Sequence, residues 1–334
     1  MTLIGVVVVS VVVMAGLLIR QLRSFTAFLQ AEHAAPIQVT LEDPDSVTPA
    51  GLPSLLDPGT KSLTIVVPAY NEEERLADTL TEALAYLQQR RDHQGPQFTY
   101  EVVVVDDGSR DGTVRVAQSF SRAHGFDTVR VLRVPVNRGK GHAVKRGMMV
   151  ARGEYCLFMD ADGATRFRDL ELLEGALANL LQGQRSSLAT GEGPLGAALG
   201  SRAHLESAAK ARRSALRNFL TWGFHMCVML VAGGRIRDTQ CGFKLFTRRA
   251  AALLYSNQRL QRWCFDVELI WLADNLGVPL TEVSVQWTEM PGSKIRPTSI
   301  LFMAFELLAL KVAYQLGGLW HVASEAEVMS KKEQ

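Results

Sequence analysis

Four short apolar runs decide what this chain can become. Leu63–Pro68, Glu101–Val105, Val129–Val134 and Tyr155–Met159 are dense in Val, Ile and Leu and close to continuous rather than alternating. Such runs belong to parallel strands that are buried on both faces. Helical patterns separate them. Leu76, Leu80, Leu84 and Leu87 recur at helical spacing, with Asn71 read as the N-cap, Glu74 three residues on, and Gly95–Pro96 as the stop. Thr113 to His124 gives a second helix, closed by Gly125. Strand and helix in alternation predict a doubly wound, mostly parallel α/β sheet.

In open sheets of this kind, ligands bind beyond the carboxyl ends of the strands. Three of the runs end in charge: Tyr70–Asn71–Glu72, Asp106–Asp107–Gly108–Ser109 and Asp160–Ala161–Asp162–Gly163. One acidic strand end is an ordinary loop, and Asp-Gly is an ordinary turn; three in one sheet point to a site. Residues at i and i+2 of an extended segment face the same way, so Asp160 and Asp162 can share a ligand. Their hard oxygens suit Mg²⁺ or Mn²⁺, with substrate phosphate completing the shell. The chain has neither G-x-G-x-x-G nor G-x-x-x-x-G-K-[ST], which argues against a dinucleotide fingerprint and a P-loop. What remains is a nucleotide held mainly by side chains. Asn137–Arg138–Gly139–Lys140–Gly141–His142 opens a helix after the fourth run. Its Gly-rich backbone and Lys140 suit a donor diphosphate, while His142 reads as structural.

Composition narrows the class. A net charge of +2 gives no electrostatic case for nucleic acid, and hydrophobic content of 47% is ordinary for a globular chain. Cys156, Cys227, Cys241 and Cys264 have no C-x-x-C spacing and read as reduced thiols of a domain facing the cytosol. The histidines form no zinc-spaced cluster.

Pro68 to Glu73, Asp106 to Ser109 and Asp160 to Gly163 resemble the motifs of inverting GT-A glycosyltransferases that use nucleotide sugars. Downstream, Gly200–Glu206, Asp238–Phe246, Trp263–Leu269 and Gln286–Lys294 are similar to the more specific motifs of the dolichyl-phosphate β-glucosyltransferase family, over about residues 60 to 320. The resemblance implies transfer of glucose from UDP-glucose to dolichyl phosphate with inversion, at the endoplasmic reticulum, for protein N-glycosylation. It implies that Pro68, Tyr70, Glu72, Asp107, Lys140, Ala161, Gln240 and Lys244 hold the nucleotide sugar, with Asp107 on uracil or ribose. Asp160 and Asp162 would bind the metal, Mg²⁺ or Mn²⁺. Arg202 would meet the acceptor phosphate together with Arg213 and Arg217, for which surface solvation or headgroup contact is the competing reading. Asp160, Asp162, Arg202 and Asp266 are thus the expected catalytic set. A phosphate monoester has a second pKa near ~6 and is already mostly dianionic, so it needs no general base. Asp266 is therefore expected to recognise glucose hydroxyls or orient Lys and Arg, with a helix N-cap as the alternative; Pro291–Lys294 is expected to close over the donor. Two other readings stay open: a related polyprenyl-phosphate mannosyl- or aminosugar transferase, and a non-catalytic nucleotide-sugar-binding membrane scaffold. The oligomeric state is not legible.

Leu3 to Ile19 is nearly pure Val, Leu, Ile, Met, Gly and Ala, and its roughly 17 residues would rise about 25 Å as a helix. Arg20 and Arg23 follow it and no Lys or Arg precedes it, which favours a signal-anchor over residues 3–23 with the catalytic part in the cytosol. Residues 24–61 read as a linker and 62–298 as the GT-A domain. Residues 299–322 read as a membrane-interface helix: Glu306 and Lys311 interrupt the apolar stretch and would each cost roughly 2.5–3.5 kcal/mol inside a bilayer. Asn218 to Ala232 reads similarly. A buried core helix is the alternative for either.

Overall fold

The structure, a computed structural model, describes residues 16, 20, 21, 23–28, 39–43, 51–183, 193–205, 223, 226–231, 233–290, 297–316 and 318–330. All four apolar runs are strands within it. In chain order the strands are β1 (Thr40–Glu42), β2 (Lys61–Ala69), β3 (Tyr100–Asp107), β4 (Val129–Val134), β5 (Gly153–Met159), β6 (Ala197–Ser201), β7 (Phe243–Thr247) and β8 (Leu280–Ser284). The helices that position the site are α1 (Leu76–Gln94), α2 (Thr113–His124), α3 (Lys140–Met149), α4 (Leu170–Gln182), α5 (Arg248–Asn257), α6 (Phe265–Leu276) and α7 (Pro297–Leu310).

Continuous apolar runs are required because successive side chains enter two different cores. Val66, Val103, Val105 and Phe158 join the cluster packed under α3, α5, α6 and α7. Ile65, Val67, Val102, Val104 and Leu157 join the cluster under α1, α2 and α4. Each fully buried Val or Leu is worth roughly 1.5–3 kcal/mol, so a polar residue in either register would cost heavily. The strand order is β1-β4-β3-β2-β5-β7-β6-β8. The neighbours β4-β3-β2-β5 pair in parallel, whereas β7 runs antiparallel between β5 and β6 and β1 is an antiparallel edge. The insertion of β7 matters for chemistry. It sets Lys244 opposite Phe158 and Phe243 opposite Met159, against the strand that ends in Asp160.

Three expectations change. Asn71 does not cap α1, whose N-cap is Arg75 without a side-chain bond; Asn71 instead has φ 52° and joins two loops described below. Parts of the expected linker are built into the fold. Leu41 on β1 and Leu55 are each 1% exposed, and the Leu55 amide donates to the Met149 carbonyl at 2.8 Å. A three-residue edge strand is too short to leave a periodic signal. Of the two charges of the 299–322 segment, Glu306 turns inward and Lys311 is tied to a neighbouring segment at the surface. Glu306 is fully buried and accepts from the Cys264 amide at 3.4 Å, while Lys311 Nζ donates to the Leu230 carbonyl at 2.9 Å. Met303, Leu307 and Leu310 join the core, so one side of α7 is a core helix. Among the described residues no helix is long and apolar enough to cross a membrane; nearly all of the apolar run at 3–19 lies outside them.

Candidate active site

The carboxyl ends of β2, β3 and β5 converge, as in other open α/β sheets. Two of the loops are stitched into one wall. The Asn71 amide donates to Ser109 Oγ at 2.9 Å, and Asn71 Oδ1 accepts from the Arg110 amide at 2.8 Å. The Glu72 amide donates to Thr113 Oγ1 at 2.7 Å, and Glu73 accepts from the Gly112 amide at 2.8 Å. Asn tolerates the left-handed backbone that this stitch demands. Pro68 and Tyr70 are half-buried on the wall, and Glu72 is tied to Arg75 at 2.6 Å.

Asp107 is 2% exposed, and its two oxygens accept from the amides of Arg138 (3.0 Å) and Gly139 (2.8 Å). Burial raises its pKa to about 7, against the pull of those two amides. Asp107 thus anchors the 138–139 loop, and each oxygen keeps a lone pair for a ribose or base. This anchoring corrects the expectation for the Gly-rich turn. The amides of Gly141 and His142 donate to the carbonyls of Arg262 (3.1 Å) and Gln261 (2.8 Å). Four backbone donors of the turn, those of Arg138, Gly139, Gly141 and His142, are therefore spent on protein acceptors, while the Lys140 side chain reaches Asp160. Gly141 is needed for the approach, since a Cβ there would lie 2.8 Å from the Leu260 carbonyl oxygen.

The acidic end of β5 is held from three sides. The Asp160 amide donates to the Gly242 carbonyl at 3.0 Å, Thr79 Oγ1 on α1 donates to the Ala161 carbonyl at 3.0 Å, and the Ala164 amide donates to Asp162 Oδ1 at 3.1 Å. Gly163 turns there with φ 68°. Burial, followed by repulsion from Asp160, raises the pKa of Asp162. Lys140 Nζ lies 2.6 Å from Asp160 Oδ1, and Lys244 Nζ lies 2.5 Å from both Asp266 Oδ1 and the Cys241 carbonyl. Lys244 and Asp266 are almost completely buried. Burial raises the Asp266 pKa, and the two lysines oppose it. For Lys140, burial acts against the charge but Asp160, Asp266 and Asp162 outweigh it, raising the pKa.

Both ammonium groups stand over one ring. Lys140 is 5.2 Å and Lys244 is 5.6 Å from the centroid of Phe158, within the range of cation–π attraction. Phe158 was legible only as a strand core residue. Its role follows from strand register, which no local pattern encodes.

Arg202 follows β6 and forms a fork with Asp238: Nε donates at 2.7 Å, Nη2 at 2.9 Å, and the amide at 2.8 Å. Burial disfavours its charge, yet Asp238 outweighs this and the pKa rises well above the usual arginine value. The guanidinium lies 5.3 Å from the half-buried Trp287 ring. Gln240 is beside it, its amide donating to Asp238 Oδ1 at 3.2 Å. Arg213, Arg217 and the 291–294 loop lie outside the described residues. Asp266 sits in the first turn of α6 without capping it, and Glu268 is structural, accepting from the amides of Arg259 and Leu260 and from Tyr314 OH.

The arrangement fits a divalent cation. Three carboxylates (Asp160, Asp162, Asp266) face two ammonium groups (Lys140, Lys244), leaving an excess negative charge. Gly242 leaves the Asp160 carboxylate its place, because a Cβ there would overlap it. Among the described residues there is no group of three or more His, Cys, Asp or Glu side chains suited to a metal, so a pair of carboxylates would need ligand oxygens to complete the shell.

Residues 64–182 match the family model for glycosyl transferase family 2. The chain is 50% identical over 295 residues to a dolichyl-phosphate beta-glucosyltransferase of Drosophila melanogaster, covering 88% of this chain and 86% of that one. It is 48% identical over 272 residues to that of Homo sapiens, covering 81% of each. This chain belongs to the dolichyl-phosphate beta-glucosyltransferase family. Among solved structures, glucosyl-3-phosphoglycerate synthase from Mycobacterium tuberculosis in complex with UDP is similar with a TM-score of 0.48 at 18% identity, covering 76% of this chain and 80% of that one.

Proposed function

We propose that this glucosyltransferase moves glucose from UDP-glucose to dolichyl phosphate with inversion, using a divalent cation held by Asp160 and Asp162. The observation that carries the reading is the pair of ammonium–carboxylate contacts, Lys140–Asp160 and Lys244–Asp266, over the Phe158 ring at the strand ends. When bound, Mg²⁺ or Mn²⁺ would supply charge to offset what builds on a departing diphosphate. The remaining work belongs to the chain.

Pro68, Tyr70 and Glu72 on the stitched wall, with Asp107 behind them, hold the nucleoside. Ala161 lends the backbone of the acidic loop, and Lys140, Gln240 and Lys244 line the diphosphate and sugar side. Lys140 shares its partner Asp160 with the expected metal, whereas Lys244 does not. With Asp160 as a metal ligand, Lys140 would be the residue placed to meet donor phosphate. Lys244 stays with Asp266, which makes Asp266 an orienting residue rather than a base. That assignment suits an acceptor already ionised at neutral pH. The acceptor oxygen needs only to be aimed at C1 and shielded from like charge, a task for Arg202 with Arg213 and Arg217. The fork with Asp238 fixes the Arg202 plane before substrate arrives.

The same reading places the enzyme at the endoplasmic reticulum membrane, anchored once by the apolar run at 3–19, with its catalytic domain in the cytosol. Membranes containing the enzyme, given radiolabelled UDP-glucose or GDP-mannose with dolichyl phosphate, test the reaction. Label from UDP-glucose should enter the lipid fraction, and Asp160→Ala or Asp162→Ala, or chelator, should lower the rate by about 100-fold or more. Equal transfer from GDP-mannose, or full activity of the double variant in chelator, would overturn it.

A further inference from the structure

The reaction proposed above uses the carboxyl ends of the strands, and the amino ends carry a charge cluster of their own. Glu101 and Arg130 are the second residues of β3 and β4, and Arg152 immediately precedes β5. Asp106, at the site end of β3, stands roughly 17 Å of extended chain away from Glu101. Glu101 is 0% and Arg130 2% exposed. One oxygen, Glu101 Oε2, accepts from Arg130 Nη2 and from Arg152 Nε, both at 2.7 Å. The other, Oε1, is taken by Thr64 Oγ1 at 2.7 Å and the Arg152 amide at 2.8 Å. One buried carboxylate is therefore shared between two guanidinium groups. Asp127 meets Arg152 Nη1 at 2.7 Å and Lys61 Nζ at 2.5 Å, but its side chain is 69% exposed. Three cations against two carboxylates leave one positive charge in surplus.

Arg130 is the least compensated member. Its Nη2 also donates to the Val150 carbonyl at 2.9 Å, yet among the described residues nothing accepts from its buried Nε. Buried donors nearly always find an acceptor, so an orphan calls for a reason. Burial lowers the Arg130 pKa against the pull of Glu101, a strain on the charge that a further anion would relieve. Beside the cluster lies a cavity of about 390 Å³, the size of a small-molecule site. Arg130 and Arg152 give it a polar side, and Leu41, Leu52, Pro53 and Phe126 an apolar one. The apolar side is built into the fold. Leu41 belongs to β1, and Arg248 holds the turn after Pro53 by the carbonyls of Ser54 at 3.0 Å and Asp57 at 2.8 Å. We propose that this cavity binds a small organic anion, a phosphate or carboxylate on a compact apolar body. Arg130 and Arg152 meet the head group, whose planar or tetrahedral oxygens suit guanidinium donors. Leu52, Pro53 and Phe126 cover the body. The site lies at the opposite end of the sheet from the nucleotide wall and does not depend on the reaction proposed there.

Calorimetric titration of the full chain in detergent at low salt tests the site, with and without UDP and Mg²⁺. The probes are phenyl phosphate and benzoate, each set against its bare counterpart, inorganic phosphate or acetate. Arg130→Leu would strand the buried Glu101 and endanger the fold, so substitutions at the edge of the cavity carry the test. One equivalent of either aromatic anion should bind, equally well with UDP present. Its affinity should exceed that of the bare anion roughly tenfold, because only the aromatic probe covers the apolar side. Asp127→Asn removes a competing carboxylate yet keeps an acceptor for Lys61 and Arg152, and should tighten binding about threefold. Leu52→Glu, at a position 47% exposed, adds a like charge and should weaken binding about threefold. Four results would each overturn the site: no binding of either aromatic anion, displacement by UDP, equal affinity for the bare anions, or indifference to both substitutions, the mark of an adventitious ion only.

Discussion

Replacing Lys244 by Met should make the stability of this buried site much more strongly pH-dependent. Met fills similar volume, but Asp266 is 3% exposed and loses the ammonium group at 2.5 Å. Its folded pKa is already raised by burial, with Lys244 the largest opposing influence. Without that partner the carboxyl takes up a proton on folding. Keeping it neutral at pH 7 against an unfolded pKa near 3.9 costs about 4 kcal/mol, and at pH 5 about 1.5 kcal/mol. The first figure matches the roughly 3–5 kcal/mol lost when one partner of a buried ion pair is removed. The sign follows from proton counts: the folded variant binds more protons than the unfolded chain, so its stability falls as pH rises above about 4 and the deficit shrinks on acidification. A further ~1 kcal/mol, independent of pH, comes from the Cys241 carbonyl left without its donor. Denaturant titration of wild type and Lys244→Met at pH 5 and pH 7 reads the difference. The double variant Lys244→Met/Asp266→Leu should recover most of the stability without recovering transfer activity. A deficit equal at both pH values, or no recovery in the double variant, would refute the reasoning.

Gly242→Ala should displace the Asp160 carboxylate, because the added methyl group overlaps it; activity should fall roughly tenfold or more, and the divalent-ion concentration needed for half-maximal rate should rise. Glu306→Gln should be more stable than wild type above pH 7. Burial raises the Glu306 pKa from 4.5 to about 7, a cost of up to about 3 kcal/mol that is fully present above the folded pKa and vanishes near pH 4.5, as paired melts at pH 5 and pH 8 would record. Arg202→Lys keeps the charge but loses the fork to Asp238, so kcat/KM for dolichyl phosphate should drop about tenfold while the KM for UDP-glucose holds.

The parts legible in the sequence were those whose signal is local. Val66 and Val67 feed opposite cores, so the run containing them had to be apolar throughout, and this exposed the parallel strands. Asp107 and Asp160 stand where those strands end, which fixed the site's edge. The parts that escaped depend on separation. Lys244 and Asp266 are 22 residues apart and Arg202 and Asp238 are 36 apart, and each pair exists only because β7 inserts antiparallel beside β5 and β6. Asn71 carries the composition of an N-cap, but its side chain finds a better use on the neighbouring loop. The Gly-rich turn has the composition of a phosphate cradle, yet residues 261 and 262, more than a hundred positions later, consume its amides. Glu306 reads as an interruption of an apolar face until Cys264 is packed beneath it.

The Phe158 ring has one more implication. A benzene floor offers no acceptor into which an ammonium group could sink, and it admits no hydration shell on that side. Lys140 and, more completely, Lys244 thus hold their charge largely out of water, so that under the proposed reaction little of the medium would have to rearrange as charge migrates.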